Sequence, residues 1–316
     1  MVWCRRKLKI QWLLTVTSLG IWGFYVYNGA KHKESIEMDK VDHFTTESHQ
    51  TRSHRKLGKF VTKSLAQLGK MDEINKHFLL LNYIPRSGAE ILIFILQRVQ
   101  GMNNFRHIRM KGPIKGELTK SEQEKLVYDF YDIRKSAAIP LSFDKNVHFI
   151  NFTTFDRQLP TYINLIRDPV EKVMTRVTKN HVENNIAIRC LLREGNYCKI
   201  KMEMAIPYFC GYSPRCMEPN NAWALKTAIE NVEKYYPVVG VLEELNATLH
   251  VMEKQIPYFF KGAKDIYQRK LYKMHRKRKT IAFPKQLRNK LERMLGNEWL
   301  FYNWVKERLL RQARNT

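Results

Sequence analysis

Three apolar runs along the chain end abruptly in turn or capping residues, and each gives way to a helical pattern. Phe78 to Ile84 (FLLLNYI) leads into Pro85, Arg86, Ser87 and Gly88, after which Ala89 to Val99 carries a helical period. Thr161 to Ile166 leads into Arg167, Asp168 and Pro169, where Asp168 suits an N-cap and Pro169 the first helical position. Val238 to Leu242 leads into Glu243 and Glu244, carboxylates that suit a helix dipole without any catalytic role. Near-continuous apolar strands alternating with helices predict an α/β domain with a central parallel sheet flanked by helices. Helical periods return from Pro284 to Leu310, with Trp299, Phe301 and Trp304 expected to pack the C-terminal end.

A different pattern opens the chain. Ile10 to Tyr27 is a run of eighteen residues without charge, long enough to span a bilayer. Trp12, Trp22, Tyr25 and Tyr27 lie towards its ends, and Arg5, Arg6, Lys7 and Lys9 precede it. These features predict a type II signal anchor at 10–27 with a cytosolic tail at 1–9 and the bulk of the chain lumenal. A cleaved signal peptide is the competing reading, but the run exceeds the usual apolar length and no small-x-small site follows before Lys31. So short a span suits the thinner membranes of the early secretory pathway. Residues 28–75 are polar, with no sustained apolar period, and read as a stem; 76–312 then hold the folded domain.

Charge narrows the partners. Against 30 acidic residues stand 55 Lys and Arg, a formal charge of +25, which favours a polyanion: nucleic acid, anionic lipid or acidic polysaccharide. A lumenal address excludes nucleic acid from the expectation. The 44% apolar content excludes wholesale disorder and collagen-like repeats.

Cys190, Cys198, Cys210 and Cys216 form an even set within the lumenal part and allow three pairings. The local pairing, Cys190 with Cys198 and Cys210 with Cys216, closes the shortest loops. Zinc is the rival, yet no C-x-x-C pair is present and an oxidising lumen favours disulfides, so no metal is expected. Asn151-Phe-Thr and Asn246-Ala-Thr are glycosylation acceptor sequons in that compartment, although Asn151 sits in an apolar run.

The loops after the first two strands carry the candidate chemistry. Strand, tight cationic loop and helix make a phosphate cradle, because N–H groups at a helix start and a nearby cation stabilise an anion. An ordinary βα turn with a solvated arginine fits Arg86 as well. Arg167 falls on the strand edge where open α/β sheets bind ligands, or else pairs with Asp168 or Glu171. Neither G-x-x-x-x-G-K-[ST] nor a G-x-G-x-x-G after a strand is present, which disfavours an ordinary ATPase or dinucleotide enzyme.

Six strings carry a resemblance: YIPRSG at 83–88, VHFINF at 147–152, YINLIRDPVEK at 162–172, IPYFCGYSPRC at 206–216, VVGVLEEL at 238–245 and YFFKGA at 258–263. In order and spacing, from about 78 to 310, the chain resembles the Golgi uronyl 2-O-sulfotransferases, the family of the heparan sulfate and dermatan/chondroitin enzymes and the insect Pipe proteins. The resemblance implies a P-loop-like sulfotransferase domain that takes PAPS as sulfuryl donor and a hexuronic acid of a glycosaminoglycan as acceptor. It implies that Arg86, Ser87 and Gly88 serve the phosphosulfate end, and that Arg167 and Thr175 serve the 3′-phosphate, Thr175 keeping the hydroxyl of the usual serine. It also implies the two local disulfides and a homotrimer.

Departures from the family are equally legible. The family's catalytic base is a histidine directly before the string at 147–152, where this chain has Asn146. His148 lies two positions along, on the same face if the segment is a strand; it either substitutes as base or is a partly buried structural histidine. His107 corresponds to a substrate-side histidine, with a two-residue gap. Arg86 replaces the loop's usual lysine, and Ala89 and Glu90 stand where hydroxyl residues are usual. Glu90 should oppose a dianion unless it turns away or pairs with a cation. From Lys261 to Thr280 nine basic residues face one acid, Asp265, and the fold expected here places nucleotide or glycan contacts at Arg276 and Lys277. The departures leave two expectations open: an active sulfotransferase, or a weak or inactive paralogue that binds glycan or joins active subunits. A third, an electrostatic scaffold on anionic membranes, needs only the charge and the anchor.

Overall fold

The structure, a computed structural model, describes residues 72–110, 117–180, 204–272 and 284–315, without side chains for 176–180. The cytosolic tail, the anchor at 10–27, nearly all of the stem, Cys190, Cys198, Arg276 and Lys277 lie outside the described residues. Five strands form one sheet: β1 (Ile74–Leu81), β2 (Arg106–Arg109), β3 (Leu141–Asp144), β4 (Leu159–Ile166) and β5 (Val238–Val241). Their order is β2-β3-β1-β4-β5, and every pairing is parallel. The described helices around the sheet include α1 (Glu90–Val99), α2 (Lys120–Lys135), α3 (Pro169–Asn180), α4 (Ile206–Cys210), α5 (Ala222–Tyr235), α6 (Leu245–Gln255), α7 (Lys285–Leu295) and α8 (Asn297–Asn315). The first strand begins at Ile74, two residues inside the range read as stem.

The three expected strands are β1, β4 and β5, neighbours on one side of the sheet. All eight residues of β4 are buried, the signature of a strand covered on both faces. Phe78 lies at the heart of the other half, its ring 5.4 Å from Phe143, 6.0 Å from Phe130 and 6.1 Å from Phe152. Burying such a ring contributes about 1.5–3 kcal/mol, and the cluster locks α2 and β3 onto β1.

Strand order decides where a ligand can lie. From β1 the chain passes through α1 to the far edge strand β2, returns to β3, and then crosses to β4 on the other side of β1. The connections therefore part between β1 and β4, and the crevice beyond their carboxyl ends is the place an open sheet offers. The loops carrying Ser87 and Arg167 leave the sheet there.

The expected strand through Asn146 and His148 is not one. Strand β3 stops at Asp144, and 145–151 runs on as largely buried chain without regular structure into a 3-10 turn at Phe152–Phe155. The reason is that β1 has already ended. Lys145 exchanges one pair of bonds with its exit (Lys145 N to Leu81 O 3.1 Å, Tyr83 N to Lys145 O 3.1 Å), after which β1's chain turns away and the Asn82 side chain reaches Val147 O instead.

The C-terminal region is two helices, α7 and α8, separated at Gly296, whose φ is positive (+41°). Phe301 is fully buried, while Trp299 closes an apolar contact of Val170, Val173 and Met174 on α3 with Leu287, Leu291 and Leu295 on α7. This contact fixes the helix that follows Arg167. Cys210 and Cys216 are disulfide-bonded, Cα atoms 5.7 Å apart, as the local pairing has it.

Candidate functional site

The loop after β1 is built to bring backbone close to a helix start. Arg86 and Gly88 both have positive φ (+62° and +85°), and a Cβ on Gly88 would stand 2.6 Å from Leu242 Cδ1. Only glycine fits there, because both the dihedral and the space exclude a side chain. Ser87 is buried and Arg86 exposed. Ala89, at the cap of α1, already has helical dihedrals and supplies no capping side chain. The first turn of α1 thus starts without a side-chain cap, Ile91 N bonding back to Gly88 O at 2.9 Å, at the end of the strand where the helix dipole favours an anion.

Helix α3 begins in the opposite way. Asp168 caps it, accepting from Val170 N (2.8 Å) and Glu171 N (3.2 Å) with one oxygen, while the other takes Arg288 Nη2 at 2.7 Å. Glu243 joins in, receiving Asp168 N and Tyr302 OH, and Glu244 pairs with Lys306. The two carboxylates after β5 thus tie β5, α3 and α8 together. With Asp168 occupied by Arg288, Arg167 turns the other way: its Nη2 donates to Thr175 Oγ1 at 2.8 Å, and Thr175 donates to Glu171 O. The two residues expected at the 3′-phosphate are therefore side by side.

Both loops meet at one narrow cleft with about 10 Å³ of free space. Ser87, Arg167, Lys172, Glu298 and Tyr302 share its wall. Lys172 was absent from the expectations, although positions 168, 172 and 175 recur at helical spacing and mark one face of α3. It is buried, and its charge helps hold down the Glu298 carboxyl, which burial pushes up and which also accepts Ala205 N (2.7 Å) and Ile206 N (2.9 Å).

Glu90 finds a cation. Its Oε1 lies 3.3 Å from Arg109 Nη2, and Arg109 Nε lies 3.3 Å from Asp144 Oδ2. The carboxylate that should repel a dianion at the start of α1 is thus paired with a guanidinium from β2. His107, expected on the acceptor side, is buried beneath this pair. Its Nδ1 is 3.1 Å from Ser142 Oγ and its Nε2 3.0 Å from Asp144 Oδ1, the latter off hydrogen-bond geometry. It meets Arg109 only through Asp144.

Asn146 donates to Tyr83 O (2.9 Å) and Tyr208 OH (3.2 Å), so its amide is held by groups on both sides. The His148 ring lies between Tyr208 and Tyr212, centroids 4.7 and 4.9 Å away. Asn146 and His148 therefore share Tyr208 even without a strand. Burial pulls the His148 imidazole down to about 4, opposed by a bond to the Gly211 backbone, and its Nδ1 is buried with no partner. Between pH 6.5 and about 4 the unfolded imidazole binds a proton that the folded one refuses, so stability falls as pH falls through that window. The expected loss is about 3 kcal/mol, visible as a lower urea midpoint near pH 4 than at pH 7, and His148→Phe should abolish this part of the pH dependence. An unchanged difference in that variant would assign it elsewhere.

Behind the site, Asn164 Nδ2 donates to Asn82 O (2.6 Å), and Asn82 Nδ2 donates to Tyr208 O (2.9 Å). This buried chain of amides links β4, the exit of β1 and α4. Of the sequons, Asn151 uses its side-chain oxygen to cap the turn at Thr153, whereas Asn246 is exposed with Thr248 buried beneath it. Among the described residues no cluster of potential metal ligands occurs.

No protein-family model matches the chain. Among curated proteins it is similar to the uronyl 2-sulfotransferase of Homo sapiens, 32% identical over 252 residues that cover 72% of this chain and 61% of that protein. It is 29% identical to the uronyl 2-sulfotransferase homolog pip of Drosophila melanogaster, over 74% of this chain and 52% of that one. With heparan sulfate 2-O-sulfotransferase 1 of Xenopus laevis it shares 24% identity over 82% of this chain and 76% of the relative. The chain spans about three fifths of the length of the human relative it matches.

Proposed function

The chain belongs to the uronyl 2-O-sulfotransferase family, and from that premise we propose that it moves a sulfuryl group from PAPS to the 2-hydroxyl of a hexuronic acid in a glycosaminoglycan, dermatan/chondroitin or heparan sulfate. The observation that carries this reading is the meeting of Ser87 and Arg167 in one cleft, with Lys172 in its wall. In the reaction the acceptor oxygen bonds to sulfur as the bond from sulfur to the bridging oxygen breaks. The hydroxyl proton goes to a base, and the bridging electrons stay on the departing nucleotide. Such a transfer asks the protein mainly to position two reactants and to offset charge on the leaving oxygen.

Each residue then has a part. The first turn of α1, with Arg86, Ser87 and Gly88, receives the phosphosulfate end. Arg167 and Thr175 receive the 3′-phosphate; a guanidinium has five N–H donors, so its bond to Thr175 leaves others for the anion. The base in this reading is His148. Its imidazole is neutral at pH 7, but a group pulled to about 4 is a weak base, and its Nδ1 is buried against Tyr208 and Tyr212, so an acceptor reaches it only when that packing opens. Turnover is therefore expected to be slow. A second reading follows from the same observation: with Asn146 at the family's base position, the chain holds nucleotide or glycan and serves as a weak or inactive partner of active subunits. Under either reading the domain works in the Golgi lumen on a single-pass anchor and as a homotrimer, with Asn246 the better-placed sequon; the Cys210–Cys216 bond supports an oxidising compartment.

Calorimetry with adenosine 3′,5′-bisphosphate, alongside transfer of labelled sulfate from PAPS to desulfated chains, tests the proposal. Micromolar nucleotide binding with measurable transfer is the expected result. Nucleotide binding without transfer selects the second reading, and a folded protein that binds no nucleotide refutes the donor site.

A further inference from the structure

At the amino ends of β2 and β3, on the rim opposite the cleft, lies an open groove of about 710 Å³. Leu141, the first residue of β3, forms part of its floor, and Asn104 two residues before β2 closes one end. Arg134 and Lys135 enter from the last turn of α2, Tyr131 from the turn before, His77 from β1 and Tyr258 from the segment after α6. Among the described residues no carboxylate lines it. The nearest ion pair, Lys135 with Asp132 at 3.4 Å, is exposed on both sides and therefore weak.

Two rings in the groove are pinned at their hydroxyl ends. Tyr131 OH donates to Gln158 O at 2.8 Å and Tyr258 OH to Asn104 O at 3.4 Å. The Arg134 guanidinium lies 5.4 Å from the Tyr131 ring centre, and His77 meets Tyr258 edge-on at 5.5 Å. Aromatic rings beside a planar, permanently charged fork and an exposed ammonium suit a ligand with an apolar ring face and regularly spaced anions. A sulfated or carboxylated sugar has both, and the +25 charge of the chain favours such a polymer over a neutral one.

We propose that this groove is a second, non-catalytic site for the acidic glycan, resting on the acceptor class proposed above. It holds one segment of a polysaccharide while another segment of the same polymer reaches the cleft. The two lie at opposite ends of the sheet, about the length of β1, roughly 25 Å, apart. Binding at the groove raises the local concentration of acceptor at the cleft without touching the chemistry, and only for chains long enough to reach both.

The test compares the full chain with Arg134→Glu/Lys135→Glu, and with Arg134→Gln/Lys135→Gln in case charge reversal disturbs folding. Labelled dermatan sulfate, as long chains and as short oligosaccharides, is the probe, and adenosine 3′,5′-bisphosphate titration reports the donor site. Long-chain binding should weaken about tenfold in either variant, nucleotide affinity should not move, and Tyr258→Ala should reproduce part of the loss. The proposal is overturned if long chains bind both variants as they bind the wild type while nucleotide binding is intact, a result that leaves the sulfotransferase reading standing. It also falls if the wild type binds nucleotide but neither length of glycan. Loss of nucleotide binding by the wild type itself would instead indict the donor site and leave the groove to be judged on glycan binding alone.

Discussion

Arg167→Ala is expected to weaken adenosine 3′,5′-bisphosphate binding about a hundredfold and to reduce sulfate transfer at least in proportion. The magnitude follows from what the side chain is positioned to do. Arg167 stands at the carboxyl end of β4 in the wall of the cleft, and its neighbour in sequence, Asp168, is spent on capping α3 and on Arg288. Its described hydrogen-bond partner is the Thr175 hydroxyl, a neutral group, and the Glu171 carboxylate acts on it through space, so an incoming phosphate would bring charge-assisted bonds that these contacts lack. Charge-assisted bonds of this kind contribute about 1.5–3 kcal/mol each, and two in parallel through the guanidinium fork, each at the low end of that range in a partly exposed site, account for the expected factor. Arg167→Lys should recover part of the affinity, since the charge remains and the fork does not. The N-cap is made by Asp168, so the fold should survive, and the melting temperature is the control. Unchanged nucleotide affinity in a folded Arg167→Ala protein would remove Arg167 from the donor site.

How much of this was legible beforehand differs between the two halves of the sheet. Strands β1, β4 and β5 announce themselves because they are apolar on both faces and end in Pro-Arg-Ser-Gly, Arg-Asp-Pro and Glu-Glu. Strands β2 and β3 do not. RHIR is a short, charged edge strand, and LSFD is four residues long, so neither has a period to detect. The neutralisation of Glu90 was invisible for that reason: Arg109 reaches it from β2, nineteen residues away in sequence and on an element no pattern marks. Pairwise contacts across strands were equally hidden, such as His107 beneath Asp144, or Tyr208 touching both Asn146 and His148. By contrast the Asp168 cap, the Arg167–Thr175 neighbourhood at i and i+8, and the Cys210–Cys216 bond are local in sequence. Lys172 is legible in principle from the spacing of α3, but a lysine in the first turns of a helix carries no sequence signal that distinguishes a buried site from a solvated face.

Asn146→His should raise turnover by about 10²–10⁴-fold with little change in the KM for either reactant. The site can receive an imidazole. Asn146 is buried and donates its amide to Tyr83 O and Tyr208 OH, either of which could take the single N–H of a neutral imidazole. A ring that donates once keeps a lone pair on its other nitrogen, which is what removal of a hydroxyl proton requires and what an amide lacks. His148 makes a useful internal comparison, because it already lies against the same Tyr208 yet is pulled to about 4 between two tyrosine rings. If His148 is the working base, His148→Phe abolishes the slow wild-type transfer but leaves most of the activity of the Asn146→His protein. The pH–rate profile separates the two bases further: activity that depends on His148 stays flat down to about pH 5, since its imidazole remains unprotonated there. A base at 146 adjoining Tyr208 and the exit of β1 should lose activity at a higher pH, because one of its faces meets polar groups rather than rings. No gain in Asn146→His, with nucleotide and glycan affinities intact, would mean that the missing proton acceptor is not what limits the chemistry. The 5′ loop, where Arg86, Ala89 and Glu90 replace the family's residues, would then be the place where activity was lost.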